Sequence, residues 1–403
     1  MGEGLGAVRE PVAIVGIGCR LPGARGPREL WDVLASGADE VGEIPDGRLG
    51  TDERIATRVG GFLPDVDRFD ADFFGISGHE AARIDPQHRQ MIEVVWEAVE
   101  DAGLTAAALE GSRTGVYTAC LNADYWDVVR AAGLSDMHAV AGNGAWGMPA
   151  GRLSHLLDLR GPSLGVEATC ATSLLAVHLA CRDLWSGQAD AALVAGVNLL
   201  LSADFYLALS DAGILSRDGR ARFGDAGVDG YVRSEGAVAV VLKPLGAALR
   251  DGDRVYATIL GGAVNNNGRA GDTLTTPSIA GQVAMLRAAH ADAGVSADEV
   301  DYVEAHGAGT PIGDEVELSA LREEFGSRSR PCLVGSVKSN IGHIESAAGL
   351  AGLAKTALAL HHGVVPATLR VRTPHPVLAG TSLEPVASAR PWPDTGRLPV
   401  AGV

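Results

Sequence analysis

Several residue types are scarce in this chain of 403 residues, and each shortage excludes a class of protein. The five cysteines are odd in number and show no CxxC spacing, so we expect neither a disulfide framework nor a zinc site, and a reducing compartment is favoured. Hydrophobic residues make up 46% of the chain and charged residues 21%, which allows a substantial core and excludes a disordered chain.

Basic residues are scarce as well: there are 33 against 50 acidic ones, and the formal net charge is −17. Phosphate binding needs a basic face, so we expect no nucleic-acid partner. The longest uncharged apolar stretch, residues 191–201, is too short to cross a bilayer, and the first residues lack the basic segment of a signal peptide. We therefore expect a cytoplasmic protein without a membrane partner.

Lysine is nearly absent, since only three of the 33 basic residues are lysines: Lys243, Lys338 and Lys355. Lys338 stands two residues before Asn340, at the end of a predicted strand. A lysine ammonium is a compact point charge, whereas the arginine guanidinium is a planar fork. We therefore expect the lysine at this position to orient a carboxylate or to tune a histidine.

Apolar segments with strand character alternate with segments of helical periodicity, which predicts the α/β class. The alternation runs in two similar series, so we predict an N-terminal unit over residues 10–250 and a C-terminal unit over 251–403. The predicted strands are 11–18, 113–119, 163–168, 190–201, 236–242, 255–263, 300–305 and 332–337, and the main predicted helices are 87–102, 172–186, 279–293, 315–325 and 346–361.

Gly16 and Gly18 come at the end of the first predicted strand. A dinucleotide-binding loop needs a third glycine, which is misplaced here. We therefore interpret the pair as a tight turn and expect no dinucleotide cofactor.

Three distant segments each end an apolar strand at a reactive residue and continue into a turn rich in glycine or alanine. They are residues 165–175 around Cys170, residues 301–310 around His306, and residues 335–343, which end at His343. One cysteine with two separate histidines suits nucleophilic thiol chemistry with imidazole donors. The pattern predicts an enzyme that makes or breaks carbon–carbon bonds through a thioester.

Each reactive residue also has a purely structural alternative. Cys170 precedes a predicted helix, whose N-terminal N–H groups would lower the thiol pKa and hold a developing oxyanion. The alternative is a buried, inert cysteine, as we expect for Cys181 inside the same helix. His306 is followed by Gly307 and Gly309, which allow a ligand to approach the backbone, but a satisfied structural histidine is the alternative.

Two acidic residues follow the first histidine at short range. Asp314 and Glu317 come eight and eleven residues after His306, near a predicted helix start. They could be partners of that histidine or acidic residues that suit a helix N-terminus.

The three segments and several further motifs resemble the ketosynthase domains of polyketide synthases, within the thiolase-like condensing enzymes. The resemblance covers nearly the whole chain. The further motifs are residues 12–23 (VAIVGIGCRLPG), 84–89 (IDPQHR), 151–154 (GRLS) with 161–162 (GP), and 229–236 (DGYVRSEG).

This resemblance implies a thiolase-like fold of five layers, αβαβα, with two similar βαβαβαββ halves, usually in a homodimer. It also implies a decarboxylative Claisen condensation that lengthens an acyl chain by two carbons during polyketide elongation. An acyl carrier protein would present the acyl groups on its phosphopantetheine arm, and other synthase domains would be further partners. The domain would bind no metal and no cofactor of its own.

Residue roles follow from the same resemblance. Cys170 would accept the acyl group from the carrier. His306 and His343 would assist decarboxylation of a malonyl-type extender and stabilise the resulting enolate, which attacks the cysteine thioester.

Supporting roles are implied in the same way. Lys338 would hold the region of the second histidine in place through a network with Asp314 and Glu317. Thr310 and Asn340 would contact the phosphopantetheine arm.

The chain departs from the family pattern in three places. Family members usually have Thr-Ala-Cys-Ser-Ser at the nucleophile, where this chain has Ala168-Thr-Cys-Ala-Thr172. Ala308 stands where a threonine is usual, and the lost hydroxyl contact with pantetheine costs about 1 kcal/mol. Beyond Val403 the family continues into a glycine-rich loop with a gating phenylalanine and a second oxyanion N–H, so we expect a piece of a longer protein.

Other functions stay open. A thiolase would need a second reactive cysteine near the C-terminus, and a Cys-His-Asn condensing enzyme would use one histidine. A discrete fatty-acid 3-oxoacyl-carrier-protein synthase shares the predicted chemistry. A non-condensing scaffold or transfer domain typically lacks the cysteine or a histidine, whereas this chain retains all three.

Two surface features complete the predictions. Arg217, Arg220 and Arg222 cluster in a loop of this acidic chain and could contact an acidic carrier protein, or could form a solvated turn. The loops at residues 122–126 and 142–148 are candidates for acyl specificity.

Overall fold

The computed structural model describes residues 9–49, 54–143, 148–271, 273 and 275–403. Two main sheets and two short strand pairs account for its strands. In chain order the described strands are β1 Val12–Leu21, β2 Ala24–Arg25, β3 Gly42–Glu43, β4 Val59–Gly60, β5 Thr114–Ala119, β6 Ser163–Val166, β7 Ala191–Asn198, β8 Gly236–Pro244, β9 Ala257–Ile259, β10 Tyr302–Glu304, β11 Cys332–Gly335, β12 Val364–Val365, β13 Leu383–Pro385, β14 Arg390–Pro391 and β15 Ala401–Gly402.

Helices alternate with these strands. The α-helices described are α1 Pro27–Ser36, α2 Gly78–Ala81, α3 Pro86–Asp101, α4 Ala106–Leu109, α5 Asp124–Ala131, α6 Met137–Gly142, α7 Met148–Leu156, α8 Thr172–Trp185, α9 Asp204–Asp211, α10 Leu245–Asp251, α11 Ile279–Ala293, α12 Pro311–Phe325, α13 Lys338–Ile341 and α14 Ala348–His362. Single 3-10 turns lie at Thr169–Ala171, Ala297–Glu299, Glu345–Ala347 and Pro376–Leu378. In the part of the chain that the structure describes, no helix is both long and apolar enough to span a membrane.

The larger sheet has the order β2-β1-β8-β7-β5-β6, with β9 also paired to β1. Its central strands are almost entirely buried because helices cover both faces. Successive side chains of a strand point to opposite faces. Ala13 and Val15 therefore pack in the cluster with α3, whereas Val12 and Ile14 pack in the cluster with α8 and α14.

The smaller sheet has the order β13-β11-β10-β15, and its strand pairs are parallel. The side chains Leu318, Leu321 and Phe325 of α12 cover one face of it. α14 contacts both β8 of the larger sheet and β10 of the smaller one, so α14 and α8 form a middle layer. The layers are therefore helix, sheet, helix, sheet and helix, which confirms the predicted α/β class and the αβαβα arrangement.

Most predicted elements lie close to their predicted positions, although several predicted strands are shorter in the structure. The strand predicted at 255–263 is shortened to β9, which pairs with β1 in the larger sheet. The division at residue 251 stays a prediction. The strand predicted at 332–337 ends at Gly335, because the N–H groups of Ser336 and Val337 bond to side chains instead of a neighbouring strand.

The turn predicted at Gly16 and Gly18 is wrong, because both residues lie inside β1. A Cβ atom at Gly16 would lie 2.3 Å from the carbonyl oxygen of Ala98, and one at Gly18 would lie 2.1 Å from that of Val94. Both carbonyls belong to α3. The glycines therefore allow the helix backbone to pack directly on the strand.

Candidate active site

The structure brings the three reactive segments towards one end of the two sheets. Cys170 follows β6, His306 follows β10, and His343 follows β11 and the short helix α13. β10 and β11 are parallel, so the two histidine segments leave the smaller sheet at the same edge. The 3-10 turn of Cys170 contacts the turn at Glu345–Ala347, directly after His343.

Cys170 lies in a strained turn between β6 and α8. The preceding residue, Thr169, has φ of +48°, an unfavourable conformation for a threonine. The Thr172 hydroxyl accepts the Ala168 N–H at 2.8 Å and donates to the Thr169 carbonyl at 2.5 Å. Thr172, one of the departures from the family pattern, therefore braces the turn that presents the half-buried thiol.

The predicted lowering of the Cys170 pKa is wrong. Burial raises the pKa of this thiol, and the carboxylate of Glu345 adds to the rise, while the ammonium of Lys338 opposes it. The desolvation of the thiolate outweighs the favourable charges around it. The cysteine is therefore held mainly as a thiol until a base or a higher pH removes its proton. Cys181, by contrast, is buried inside α8 as predicted.

His343 is buried, and its ring has one defined hydrogen-bonding direction. Nδ1 accepts the backbone N–H of Glu345 at 2.9 Å, so the proton of the neutral ring lies on Nε2. Burial, together with the positive charge of Lys338, lowers the pKa of His343 well below its usual value. The ring of His306 stands 5.3 Å from that of His343, at an interplanar angle of 81°.

His306 is exposed, but its backbone is tightly held. Its N–H donates to Oε1 of Glu317 at 2.7 Å, and the N–H of Gly307 donates to Oε2 at 2.8 Å. Although the residue is open to solvent on one side, the protein packed around the ring desolvates its charged form. This desolvation, together with the positive charge of Lys338, lowers the pKa of the His306 imidazole. Both histidines are therefore neutral N–H donors at physiological pH.

Asp314 and Glu317, which could be partners of His306, bind the backbone of the loop that carries it. Glu317 receives the backbone N–H groups described above, and Oδ1 of Asp314 accepts the N–H of Gly309 at 2.9 Å. The two carboxylates shape the loop that carries the histidine. Burial raises the pKa of both, most strongly that of Asp314.

Lys338 connects the two histidine segments directly. It is buried in the first turn of α13, and its Nζ donates to the carbonyl oxygen of His306. Burial lowers the pKa of the ammonium, while Glu304 and Glu317 oppose that change. The hydrogen bond of Lys338 thus holds the backbone of the first histidine. The predicted network through Asp314 and Glu317 to the second histidine stays a prediction.

The two residues predicted to contact pantetheine differ in access. Thr310 is half-exposed at the start of α12, and its hydroxyl makes no capping hydrogen bond. Asn340 is fully buried, and its side-chain amide donates to the carbonyl of Ala38 at 2.9 Å. This burial leaves Asn340 no surface for a pantetheine arm, so its position corrects the prediction and makes it a structural residue.

Sequence reasoning missed a second set of residues around His343. Arg233 is buried, pairs with Glu345 at 2.6 Å, and lies 4.8 Å from the ring centres of Phe205 and Tyr206. Tyr231 packs against the His343 ring at 5.4 Å. Arg233 and Tyr231 belong to the motif at residues 229–236, so the signal was present in the sequence but carried no sign of spatial proximity.

The arginine cluster is less available than its sequence indicates. Arg220 lies 3.4 Å from Asp39, and Arg222 pairs with Asp218. Arg217 is exposed. Two of the three charges are thus neutralised within the chain, which weakens the predicted contact with a carrier protein.

One candidate specificity loop borders a cavity of about 310 Å³. The residues that line it are Asn122, Asp124, Asp127, Ser202, Asp204 and Phe205. Residues 144–147 of the other candidate loop lie outside the described residues.

Comparison with known families matches both parts of the chain. The profile of the beta-ketoacyl synthase N-terminal domain matches residues 9–248, and that of the C-terminal domain matches residues 256–372. The chain belongs to the beta-ketoacyl synthase family. This membership confirms the resemblance on which the roles of Cys170, His306 and His343 were predicted, and those roles stay predictions for this ketosynthase.

The curated relatives of this ketosynthase are much longer proteins. It is 45% identical over 411 residues to one component of the phenolphthiocerol/phthiocerol polyketide synthase of Mycobacterium tuberculosis, covering 98% of the chain and 22% of that protein. It is 43% identical over 401 residues to another component of the same synthase in that organism, covering 96% and 26%. The chain thus spans about a quarter of the length of these relatives.

Solved ketosynthase structures share the fold. An oxazolomycin ketosynthase domain from Streptomyces albus JA3453 matches with a TM-score of 0.89 and 36% identity, over 96% of this chain and 70% of that chain. The ketosynthase from module 6 of the bacillaene synthase of Bacillus subtilis 168 matches with a TM-score of 0.88 and 35% identity, over 96% and 68%. These neighbours are thiolase-fold ketosynthases, so the predicted thiolase-like fold is confirmed.

Proposed function

We propose that this ketosynthase catalyses a decarboxylative Claisen condensation in polyketide chain elongation and is thus an acyltransferase. The observation that carries the proposal is a pair of neutral histidines with rings 5.3 Å apart, together with a half-buried thiol whose turn contacts the turn that follows His343. Condensation needs a nucleophile that stores an acyl group and donors that stabilise an enolate oxygen. Cys170, His306 and His343 supply these groups.

The first half-reaction loads the acyl group onto Cys170. Its thiolate attacks the carbonyl carbon of an acyl thioester, the bond to the carrier sulfur breaks, and the phosphopantetheine thiol leaves with the proton. The strained turn at Thr169 presents the thiol ahead of α8, so the N-terminal N–H groups of this helix would stabilise the developing oxyanion. No group held permanently by the domain is required for this exchange.

The second half-reaction consumes a malonyl-type extender on a carrier. The extender loses carbon dioxide, and Nε2–H of His343 with the imidazole N–H of His306 stabilises the enolate oxygen that forms. The enolate carbon attacks the Cys170 thioester, the carbon–sulfur bond breaks, and a 3-ketoacyl group remains on the carrier. Lys338 keeps the His306 backbone in place through this sequence.

The partners of the domain belong to the same proposal. An acyl carrier protein supplies the phosphopantetheine arm, which Thr310 contacts, and further synthase domains supply and consume its acyl groups. A homodimer is supported by β6, which forms an edge of the larger sheet and exposes Leu164 by 42%. Exposed edge strands are templates for pairing with a second chain. The five cysteines are all free, which supports a location in the reducing cytoplasm.

Mass measurement of the intact protein tests the proposal. Incubation with a panel of acyl–pantetheine thioesters should give an acyl adduct that Cys170→Ala lacks. The acylated protein should then release carbon dioxide from a malonyl–pantetheine thioester and form a 3-ketoacyl product. An adduct without condensation would favour a transfer domain, and a folded protein with no adduct would favour a scaffold.

A further inference from the structure

A buried ion pair lies behind the two histidines and has no part in the reaction steps above. Lys355 on α14 is fully buried, and its Nζ lies 2.7 Å from Oε2 of Glu304, which is also buried. Among the described residues this ammonium makes no hydrogen bond of good geometry, so the carboxylate is its charge partner. A buried ion pair usually stabilises a fold no better than an apolar pair. Its presence points to a positional role.

The carboxylate of Glu304 joins the two segments that carry the site. Oε1 accepts the N–H of Val337 at 2.6 Å, and Oε2 accepts the hydroxyl of Tyr302. Glu304 ends β10 two residues before His306, and Val337 immediately precedes Lys338. One side chain thus connects the start of the His306 loop to the start of α13.

This connection replaces a strand contact that has ended. Glu304 pairs with Gly335 in the last register position of β10 and β11. Beyond that position the N–H of Ser336 donates to the Thr368 hydroxyl at 3.1 Å, and the N–H of Val337 donates to Glu304. Without the carboxylate, a buried N–H at the entry to α13 would lose its partner.

Helix α14 fixes the direction of the Glu304 carboxylate. Gly352 lies three residues before Lys355 on α14, and a Cβ atom there would be 3.2 Å from Cγ of Glu304. The backbone of α14 therefore packs closely against the Cγ methylene of Glu304, and the ammonium of Lys355 pairs with its carboxylate. The ring of Tyr302 lies 5.7 Å from the same ammonium.

We propose that Lys355 and Glu304 are positioning residues that hold Lys338 and His306 in register for the decarboxylation half-reaction. The inference rests on the proposed function, because it assigns a role within that reaction. Acyl loading depends on Cys170, which follows a strand of the other sheet. Disturbing the pair should therefore slow decarboxylation without slowing acyl loading, whereas general loss of the fold would reduce both rates.

The single variant Lys355→Met leaves Glu304 without its counter-charge. Release of carbon dioxide from a malonyl–pantetheine thioester should fall roughly 10²-fold, as a misplacement of about 1 Å can cause. The rate of Cys170 acylation, followed by intact mass, should stay at the wild-type value. Lys243→Met is the matched control, because Lys243 is also buried and paired with Asp253 but lies at the far end of β8. It should change neither half-reaction.

Neutral pairs keep the test valid if the single variant does not fold. Glu304→Gln with Lys355→Met retains a carbonyl oxygen for the N–H of Val337, whereas Glu304→Leu with Lys355→Met removes it. Carbon dioxide release should stay near the wild-type rate in the first double variant and fall roughly 10²-fold in the second. Acylation should be equal in both.

The possible outcomes test the inference and the proposed function separately. Unchanged carbon dioxide release by the folded Glu304→Leu/Lys355→Met protein would overturn the inference, and so would a parallel loss of acylation and release in a Lys355→Met protein that is folded. A folded wild-type protein that neither takes up an acyl group nor releases carbon dioxide would overturn the proposed function instead.

Discussion

Nδ1 of His343 accepts a hydrogen bond from the backbone N–H of Glu345 at 2.9 Å. Because Nδ1 is the acceptor, the neutral ring carries its proton on Nε2 and can donate in one direction only. Burial and the charge of Lys338 lower the pKa of this histidine, so it stays neutral at physiological pH. The residue is suited to donate a hydrogen bond to an enolate oxygen and not to act as a cation.

This geometry predicts different results for two amide substitutions of His343. The amide nitrogen of a glutamine reaches the neighbourhood of Nε2, whereas that of an asparagine reaches only that of Nδ1. His343→Asn should lower carbon dioxide release by about 10²–10³-fold, the cost of one lost oxyanion donor. His343→Gln should lower it less. Acylation of Cys170 in both variants is the control, and an equal loss of release in the two would contradict the Nε2 assignment.

The raised pKa of the Cys170 thiol predicts the pH dependence of acyl loading. Since a thiol reacts as its thiolate, loading should speed up as pH rises through and beyond about 8.5, the ordinary thiol pKa. Lys338→Met removes a charge that holds this pKa down, so its loading profile should move to higher pH. Rapid mixing with an acyl–pantetheine thioester measures both profiles. A shift of the variant to lower pH would show that Lys338 acts on loading by another route.

Local patterns in the sequence predicted elements but not the contacts between them. α11 has the predicted limits, because the Ser278 hydroxyl caps its first turn and Gly294 ends it in the left-handed conformation. The backbone hydrogen bonds of Glu317 and the ion pair of Lys355 were not predicted, because they depend on how α12 and α14 pack against strands distant in sequence. The sequence alone does not show whether a carboxylate accepts a hydrogen bond from an imidazole or from a backbone N–H.

The Cys170 pKa shows the same limit. A helix N-terminus is visible in a sequence, and it argues for a lowered thiol pKa. The burial of Cys170 beside the Glu345 turn is visible only in the folded structure, and its effect is the larger one. By contrast, the three motifs were enough to predict which residues gather at the site, since each reactive residue lies in the turn that follows a strand or its short helix.

His88 predicts a loss of stability in mild acid. It is buried in α3, and its Nδ1 has no hydrogen-bond partner among the described residues. Burial and the nearby charge of Arg152 lower its pKa to about 3. In the unfolded chain the His88 imidazole takes up a proton at about pH 6.5. Below that pH the folded state binds fewer protons than the unfolded state, so its stability should fall as the pH drops.

The size of this effect can be measured by urea unfolding between about pH 5 and pH 7. His88 should contribute up to about 1.4 kcal/mol per pH unit to the slope of the unfolding free energy. His88→Leu removes the titrating group and should reduce the slope by that amount. An unchanged slope would mean that His88 is protonated alike in both states.

Gly18 predicts a large stability difference between two glycine-to-alanine substitutions. A Cβ atom there would lie 2.1 Å from the Val94 carbonyl oxygen, which would force α3 away from β1. Gly18→Ala should lower the unfolding free energy by about 1–3 kcal/mol or more. Gly151 in α7 is exposed with open space around it, so Gly151→Ala should raise stability by about 0.4–1 kcal/mol. Equal effects would contradict the close packing of α3 on β1.

Thr310 offers a test of pantetheine binding that does not disturb the fold. Its hydroxyl makes no capping bond at the start of α12, and its side chain is half-exposed beside the His306 loop. Thr310→Val keeps the shape of the side chain, so the unfolding free energy should stay within about 0.5 kcal/mol. If the hydroxyl binds the pantetheine arm, KM for the carrier substrate should rise about fivefold, which corresponds to about 1 kcal/mol.

Ala308→Thr is the complementary change, because it restores the hydroxyl that the family pattern places two residues earlier. It should lower KM by a similar factor and leave kcat unchanged, since a contact made equally with substrate and transition state alters binding alone. Both variants should be measured with a carrier-bound and a pantetheine-free acyl thioester. A change confined to the carrier-bound substrate would assign these hydroxyls to the arm, whereas a fall in kcat with both substrates would place them in the chemistry of His306.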